Sequence, residues 1–408
     1  MAGSGTALRH LKPSFHALWT LALLTLACRC SPAGPLDSLV DQAVAGALVH
    51  LERSVEEVGD TTLYPSYGTP ELRWKLTSSR DWTSGFYPGC LWYAYELSRD
   101  RRFKLWAEQW TATLEPEKFD SGTHDLGFKF MCSFGNELRL EKNPARRGVK
   151  AILLQAAGTL AERYDPAIGA LESNWDRAVI KNSFPVIIDI MMNLDLLFWA
   201  SEHGGPSSFA ADARRHAETT CRDFLRPDGS TYHIVRYDRS SGKMIGRGTL
   251  QGAGDETTWS RGQAWGMYGM EVAYRYTREK KFLEAAVRMS DYFLNHLRPD
   301  HIAPWDFQSD DTTRDVSASC IAASALLALV RDVHADSLKG RYTRDAEAII
   351  TSLCRPPYFT GGRSASCILD HATQYLPIHS NVDVPAIFAD YYFLEALVRY
   401  RGLRHPPG

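Results

Sequence analysis

Two acidic residues of this chain stand in surroundings where a carboxyl group can act as an acid or a base. Asp189 lies in the apolar segment 184–200, and Asn193 follows it at the spacing that puts both side chains on one helix face. A carboxyl group among apolar neighbours needs a hydrogen-bonding partner or a raised pKa. The segment predicts either a polar pair lining the core or a general acid in an apolar pocket.

The second acidic candidate is Asp125, which follows His124 in the sequence GTHDLGF at 122–128. One interpretation is that Asp125 only caps the helix that begins after it. The other is that the adjacent imidazole and the flanking glycines form a site at a junction between a loop and a helix. The sequence alone leaves both interpretations open.

A third cluster places a cation between aromatic rings. Arg261 stands between Trp259 and Trp265, and three glycines follow at spacings of four and three residues. Each glycine inside a helix costs roughly 1 kcal/mol relative to alanine, so we expect a neighbouring element to pack closely there. Close packing explains the glycines but not the arginine between two tryptophans. Further aromatic or imidazole side chains lie near loops, namely Trp82, Trp175 and His233.

The sequence contains no motif for several other kinds of active or cofactor site. The segment 362–366 lacks the last glycine of a nucleophile elbow, and 252–254 lacks the third glycine and preceding strand of a dinucleotide loop. The thirteen histidines and eight cysteines show no metal-ligand spacing, so we expect no metal and no cofactor. We expect the cysteines of the mature chain to be buried free thiols, with Cys354 and Cys367 as the nearest pair for a disulfide.

Composition restricts the class of protein. The 408 residues are 44% hydrophobic and 23% charged, which is typical of a soluble globular protein and not of a disordered one. Because 46 basic residues balance 48 acidic ones, the chain lacks the basic excess expected for nucleic-acid binding.

The N-terminus reads as a secretory signal peptide. Arg9 and Lys12 precede an apolar run from Ala17 to Cys28, which spans only about 18 Å as a helix and is too short for a bilayer. We therefore predict a signal peptide over 1–33 and export to the periplasm, the alternative being a buried N-terminal helix. The sequence before Cys28 loosely resembles a lipobox, so a lipid anchor on Cys28 is a second hypothesis.

The rest of the chain, 34–408, shows helical periodicity without a dividing linker, so we predict a single all-α domain. About twelve helices are expected, and the segment 184–202 is predicted to be one of them. Short and long connections alternate, which favours six helix pairs in an α/α toroid over a solenoid, because no repeat of fixed sequence occurs. The only strand-like stretch is Thr231 to Tyr237, a hairpin arm turning at 240–242.

Six motifs taken together resemble one known family, the unsaturated glucuronyl hydrolases, a bacterial family of glycoside hydrolases. The similarity runs from about residue 36 to 400. Asp195 departs from the family pattern, and the region 360–385 is hard to match with it. In chain order the motifs are DWTSGF at 81–86, HDLGF at 124–128, IIDIMMNL at 187–194, WSRGQAWGMYG at 259–269, PWDF at 304–307 and DYYFLEAL at 390–397.

The resemblance implies an (α/α)6 barrel and a substrate that ends in a 4,5-unsaturated uronic acid. It implies that Asp189 is the general acid and base and that Asp125 is the second essential carboxylate. Other matching positions would line the sugar site: Trp82, His124, Trp175, His233, Gln251, Trp259, Arg261 and Trp265. For an anionic substrate we expect Arg261 to be the local cation, and we expect the protein to be a monomer.

In the implied reaction one carboxyl group acts first as an acid and then as a base. Protonation of C4 of the substrate's enol ether gives a cation at C5, and water deprotonated by the same group then adds there. An unsaturated rhamnogalacturonyl hydrolase, a polysaccharide lyase on the same toroid and a non-catalytic sugar-binding protein are the alternatives. Near-ultraviolet absorbance of the unsaturated uronate separates hydrolases, which remove it, from a lyase, which creates it, and from a binder.

Overall fold

The structure is a computed structural model and describes residues 34–141, 148–175, 180 and 182–404. The predicted signal peptide and Cys28 lie outside the described residues. The α-helices, in chain order, are α1 (Pro35–Val58), α2 (Phe86–Ser98), α3 (Arg101–Thr113), α4 (Leu126–Phe130), α5 (Asn136–Leu140), α6 (Val149–Ala161), α7 (Ile190–Glu202), α8 (Ser208–Asp223), α9 (Ser260–Thr277), α10 (Lys280–Asn295), α11 (Val316–Asp332), α12 (Asp336–Leu353) and α13 (Ile387–Arg404). A π-helical turn, Met131–Gly135, joins α4 to α5 into one segment.

Six helical segments form a closed inner ring. Each contacts the next in the order α2, α4–α5, α7, α9, α11 and α13, and α13 returns to α2. The remaining long helices pack outside this ring, as α3 does on α2, α10 on α9 and α12 on α11. This is the toroid of paired helices that the sequence predicts.

The distribution of apolar side chains around each helix determines whether the helix lies in the inner or the outer ring. In α11 the residues from Val316 to Leu329 are all buried, because small and apolar side chains cover the whole helix. In α10 only one stripe is buried, including Phe282, Ala286, Met289 and Phe293, while charged side chains cover the other face. A helix that is apolar all round belongs inside, and an amphipathic one covers it.

The inner helices all run in one direction. Asp125, Asp189 and Trp259 are the residues immediately before α4, α7 and α9, and they line one pocket. Glu96, Trp199 and Arg399 lie near the C-terminal ends of inner helices and line a cavity at the other end of the ring. Loops that precede inner helices therefore build the first pocket.

The strands confirm one sequence prediction and correct another. The predicted hairpin is confirmed as β6 (Ile234–Asp238) and β7 (Met244–Gly248), with Gly242 at a φ of +67° in the turn. However, Ser183–Ile187 is a strand, β5, paired antiparallel with β6, and the helix predicted from residue 184 begins at Ile190. Pro185 and the β-branched Val186 and Ile187 suit the sheet better than a helix interior.

Two further strand pairs of the described residues were not predicted. They are the pair β1 (Leu63–Gly68) with β2 (Trp74–Ser78) and the short pair β3 (Tyr164–Asp165) with β4 (Ala170–Leu171). In the sheet of β5, β6 and β7, β6 is central. This sheet matters for function because β5 leads directly into the residue that precedes α7.

The cysteines of the described part are free thiols, as predicted. Cys354 and Cys367 are both buried and unbridged, and so are Cys90, Cys132 and Cys320, while Cys221 is half-buried. Within residues 34–404 as described, no helix combines the length and apolar character that a membrane span requires.

Candidate active site

One narrow pocket, of about 30 Å³, brings together nearly all the predicted site residues. It lies where the inner helices begin. Its walls consist of Trp82, His124, Asp125, Phe128, Trp175, Ile187, Asp189, His233, Leu250, Gln251, Trp259, Arg261 and Gln374. The pocket therefore contains both carboxyl groups, both histidines and three of the four tryptophans that the sequence singled out.

Asp189 owes its position to close packing between α7 and α9. An added Cβ on Gly269 would lie 2.4 Å from Met191 Cβ, and one on Gly266 would lie 3.3 Å from Ile188 Cδ1. The glycines of α9 thus let the chain on both sides of Asp189 approach the helix backbone, as their spacing predicts. Asp189 is held at the junction of β5 and α7, facing the pocket.

One oxygen of the Asp189 carboxyl group has no hydrogen-bond partner. Oδ2 is buried and makes no hydrogen bond, and His233 Nε2 lies 4.0 Å from it. Burial raises the pKa of Asp189 to about 7, with the positive charge of Arg261 opposing this rise and the negative charge of Asp125 adding to it. Near neutral pH the group therefore exists in both protonation states.

His233 is held as a neutral hydrogen-bond donor. Its Nδ1 accepts from the backbone N–H of Leu250 at 3.3 Å and lies 3.0 Å from Thr249 Oγ1. Burial, with smaller contributions from the charges of Arg261 and Arg236, lowers the pKa of His233 to about 3. The proton of the neutral ring is therefore on Nε2, the atom that faces Asp189.

Asp125 stands opposite, at the start of α4, with its carboxylate accepting weak, long hydrogen bonds. Thr123 Oγ1 lies 3.3 Å from Oδ2, and Asn193 Nδ2 lies 3.5 Å from Oδ1. His124 Nε2 lies 3.4 Å from the same Oδ1. Asp125 occupies the N-cap position but makes no capping hydrogen bond, so the cap interpretation of this residue is wrong.

Aromatic rings form two walls of the pocket. Trp82 packs against Phe388 and Phe128, with ring centroids 5.2 and 5.7 Å apart. Trp259 lies against His233 with 4.5 Å between the centroids, and its Nε1 is buried without a partner. Such faces suit the apolar face of a sugar ring.

Trp265, which the resemblance placed at the sugar site, is not among the residues that line the pocket. The residue is 1% exposed and packs behind Phe128, with 5.0 Å between the ring centroids, and edge-on to Tyr392. It lies one turn of α9 beyond Arg261, so its side chain points into the ring of inner helices. Trp265 therefore packs behind the wall of this pocket.

Arg261 lines the pocket, but it is not a free cation. Its guanidinium forms a buried ion pair with Asp315 and donates to the backbone carbonyls of Thr373 and Gln374. The side chain also lies over the ring of Trp259, 4.5 Å from the centroid. Because Asp315 neutralises this charge, an anionic sugar meets a paired arginine here.

Gln374 is a pocket residue that sequence reasoning missed. Its carbonyl accepts from Arg261 and from Gln251 Nε2, the latter at 2.8 Å, and its side-chain Oε1 accepts from Asn381. The residue lies in the long loop before α13, in the region that is hard to match with the family pattern. No periodicity or motif marks a backbone carbonyl, so the sequence carried no signal for it.

The chemistry available in the pocket is proton transfer. Across the ranges that the structure describes, no three His, Cys, Asp or Glu side chains come together as a metal site. A carboxyl group with a pKa of about 7 and an unpartnered oxygen faces the pocket, flanked by a neutral imidazole and a second carboxyl group. Such a group can give a proton to a substrate atom and take one from water.

Comparison with solved structures finds the same fold in enzymes of one activity. An unsaturated glucuronyl hydrolase specific for heparin matches with a TM-score of 0.85 and 37% identity, over 90% of this chain and 98% of that chain. The unsaturated glucuronyl hydrolase of Bacillus sp. GL1 matches with a TM-score of 0.84 and 30% identity, over 90% and 97% of the two chains.

Sequence comparison agrees. The unsaturated glucuronyl hydrolase of Formosa agariphila is 38% identical over 340 residues, which are 82% of this chain and 83% of the relative. That of Bacillus sp. strain GL1 is 32% identical over 365 residues, 88% and 96% of the two chains. No protein-family profile matches the chain. On these relatives and this fold, the chain is a glycosidase that belongs to the unsaturated glucuronyl hydrolase family.

Proposed function

We propose that this enzyme removes the terminal 4,5-unsaturated glucuronyl residue from glycosaminoglycan-type oligosaccharides released by polysaccharide lyases. The observation that carries the proposal is the Asp189 carboxyl group, with one oxygen unpartnered in a pocket and a pKa raised by burial to about 7. Hydration of an enol ether needs one group that is first an acid and then a base. A pKa close to the working pH serves both steps.

In this mechanism protonated Asp189 donates its proton to C4 of the sugar, and the C4=C5 electrons form the new C–H bond. The positive charge that develops at C5 and the ring oxygen is stabilised by the nearby negative charge of Asp125. Asp189, now a carboxylate, takes a proton from water as that water adds to C5. The resulting hemiketal opens and releases the neighbouring sugar.

Substrate binding rests on aromatic faces and neutral donors. Trp82, Trp175 and Trp259 offer faces to the ring, and Gln251 and the Nε2–H of His233 offer hydrogen bonds. Arg261, which is paired with Asp315, holds the wall of the pocket together. Its positive charge, partly neutralised by Asp315, attracts an anionic sugar only weakly. Trp265 is left out of the substrate contacts because it lies behind Phe128.

Relatives indicate the range of neighbouring sugars that should be tested. A mutant of the Streptococcus agalactiae enzyme is complexed with dGlcA-GalNAc6S, and another solved structure carries dGlcA-Glc-Rha-Glc. A curated relative from Streptococcus pyogenes, 30% identical over 344 residues, is named unsaturated chondroitin disaccharide hydrolase. We therefore propose a glycosaminoglycan-derived substrate without choosing among chondroitin, hyaluronan and heparin fragments.

The decisive experiment follows the near-ultraviolet absorbance of unsaturated disaccharides prepared from chondroitin, hyaluronan and heparin, with rhamnogalacturonan and gellan fragments beside them. We expect the absorbance to disappear with at least one glycosaminoglycan disaccharide. Loss confined to the rhamnogalacturonan fragment would make the enzyme an unsaturated rhamnogalacturonyl hydrolase. A gain of absorbance from intact polysaccharide would indicate a lyase, and binding without change would indicate a sugar-binding protein.

We also propose that the protein is exported to the periplasm and acts as a monomer. The basic residues and short apolar run before residue 34 support export. Mass spectrometry of the protein from its native cells should show at least the first 27 residues removed, and an intact N-terminus would contradict export. The same spectrum decides whether Cys28 carries a lipid, and light scattering of the purified protein measures its mass.

A further inference from the structure

Asn193 connects the helix that follows Asp189 to the helix that follows Asp125. It lies one turn into α7, is fully buried, and is not among the residues that line the pocket. Its Oδ1 accepts from the backbone N–H of Phe128 at 2.9 Å, and its Nδ2 donates to Asp125 Oδ1 at 3.5 Å. One side-chain amide therefore contacts both the backbone of α4 and the carboxylate in front of it.

The orientation of this amide is determined by its partners. A backbone N–H can only donate, so the atom that faces Phe128 must be the carbonyl oxygen. The –NH2 group is then the one that faces Asp125, and it can only donate. Asn193 therefore donates a long hydrogen bond to the Asp125 carboxylate.

The same contact replaces an ordinary helix cap. Asp125 is the N-cap residue of α4, and Phe128 is the third residue of that helix, whose N–H an N-cap side chain usually accepts. Here Asn193 Oδ1 accepts from this N–H, and Asp125 makes no capping bond. The Asp125 carboxylate is thereby free to face the pocket.

The approach of the two helices depends on Gly127. A Cβ at this position would lie 2.4 Å from Asn193 Cα and 2.8 Å from Asn193 Oδ1. No side chain larger than hydrogen fits, so the chain at the start of α4 lies directly on α7. The helix that begins after Asp189 is the one that fixes Asp125.

We propose that Asn193 is a positioning residue that takes over the capping of α4 and holds the Asp125 carboxylate at a fixed place opposite Asp189. The inference rests on the proposed function, in which Asp125 stabilises the cation formed at C5. Asn193 does not touch the substrate. Its effect on the reaction passes through Asp125.

The test is a double-mutant cycle between Asn193 and Asp125. Asn193→Ser removes both contacts without adding bulk, and Asn193→Leu removes them at nearly constant volume. Either change should lower kcat about 10²-fold and leave KM within about threefold, because misplacing a reacting group by about 1 Å costs that much. In an Asp125→Asn background the same changes should lower kcat by less than about twofold, since residues that act through one another are not additive.

A matched control is Asn136→Leu. Asn136 is also a buried asparagine, donates to Cys132 O and the Tyr391 hydroxyl, and lies at the other end of the barrel. Its loss should destabilise the protein comparably while kcat stays within about twofold. A folded Asn193→Ser enzyme with wild-type kcat, or costs that add fully in the cycle, would overturn the positioning role. If Asp125→Asn alone kept wild-type kcat, this result would contradict the proposed role of Asp125 in catalysis and not only the positioning role of Asn193.

Discussion

At the end of the barrel where the inner helices begin, the pocket has a volume of about 30 Å³, and one oxygen of Asp189 has no hydrogen-bond partner. At the end where they finish, a cavity of about 660 Å³ surrounds Glu395, which accepts from Tyr93, Tyr268 and Ser324 and pairs with Arg399. The larger space thus contains a carboxylate whose partners are complete. The carboxyl groups that line the two spaces therefore differ in their hydrogen-bond partners, and the smaller space is the one whose carboxyl group keeps an oxygen available.

The two carboxyl groups also differ in charge state, for a physical reason. Both are removed from water, which by itself raises the pKa of each. For Glu395 the charge of Arg399 and three hydroxyl donors outweigh burial and lower the pKa. For Asp189 nothing comparable compensates, so its pKa is raised. The following experiments test this contrast and compare it with other buried residues.

The largest effect is expected from Asp189→Asn. The amide keeps the size of the side chain but can neither give the acidic proton nor take one from water. We expect kcat to fall at least about 10³-fold, equivalent to about 4 kcal/mol in the barrier. Stopped-assay absorbance measures the loss, and isothermal calorimetry should find little change in substrate affinity. A variant that retained more than about a tenth of wild-type kcat would move the acid–base role to another residue.

Stability should depend on pH through the same group. An unfolded chain releases the Asp189 proton near its ordinary pKa of 3.8, whereas the folded protein keeps it to about 7. Between these values the unfolded state binds fewer protons, so stability falls as pH rises, by up to about 4 kcal/mol at about 1.4 kcal/mol per pH unit. The free energy of unfolding of Asp189→Asn relative to wild type should rise from pH 4 to 7 and then level off. A constant difference would contradict the raised pKa.

At the opposite end, Glu395→Gln should affect stability and not catalysis. The substitution leaves the Arg399 guanidinium without its ion-pair partner in a largely buried place, which costs about 3 kcal/mol. Chemical denaturation measures this cost, and kcat of the folded variant should stay within about twofold of wild type. A tenfold loss of kcat would show that the two ends of the barrel act together.

A high pKa by itself should not mark a reactive group, and Asp390→Asn tests this. Burial raises the pKa of Asp390 to about 8, but its two oxygens accept from the backbone N–H groups of Ile368 and Leu369, each at 2.9 Å. We expect a loss of about 1–2 kcal/mol in unfolding free energy from one weakened hydrogen bond. The assay should give unchanged kcat and KM, unlike the outcome for Asp189→Asn.

The smallest effect is expected from Trp265→Phe. Since Trp265 is enclosed behind Phe128, the loss of part of its ring should lower the unfolding free energy by about 1–2 kcal/mol. KM should remain within about twofold, which kinetics on an unsaturated disaccharide would show. A tenfold rise in KM at an unchanged melting temperature would return Trp265 to the substrate contacts.

Much of the fold was predictable because helical periodicity persists along the chain and short connections alternate with long ones. The error at β5 has a clear cause. A run of buried apolar residues does not distinguish a strand from a buried helix, and only pairing with β6, almost fifty residues later, decides it. The sequence prediction therefore began α7 too early, although it placed Asp189 and Asn193 correctly on the same segment.

The properties of a site residue were predictable where they depend on its neighbours in the sequence. They were not predictable where they depend on a partner that is distant in the sequence. The residues that adjoin Asp189 in the sequence are apolar, and this alone indicates a raised pKa. The ion-pair partner of Arg261 is Asp315, fifty-four residues away in the sequence. No residue adjacent to Arg261 predicts this pairing. The same holds for Asn193, whose contacts with α4 turn an apparent cap residue into a pocket residue.

The shared direction of the inner helices gives the pocket an electric field that does not come from side chains. α2, α7, α9, α11 and α13 begin at this end of the barrel, and the aligned peptide dipoles place about half a positive elementary charge at the start of each. An anionic sugar is therefore attracted by the backbone even though the arginine in the wall is already paired. Peptide dipoles do not titrate, so their field stays the same when Asp189 gains or loses its proton.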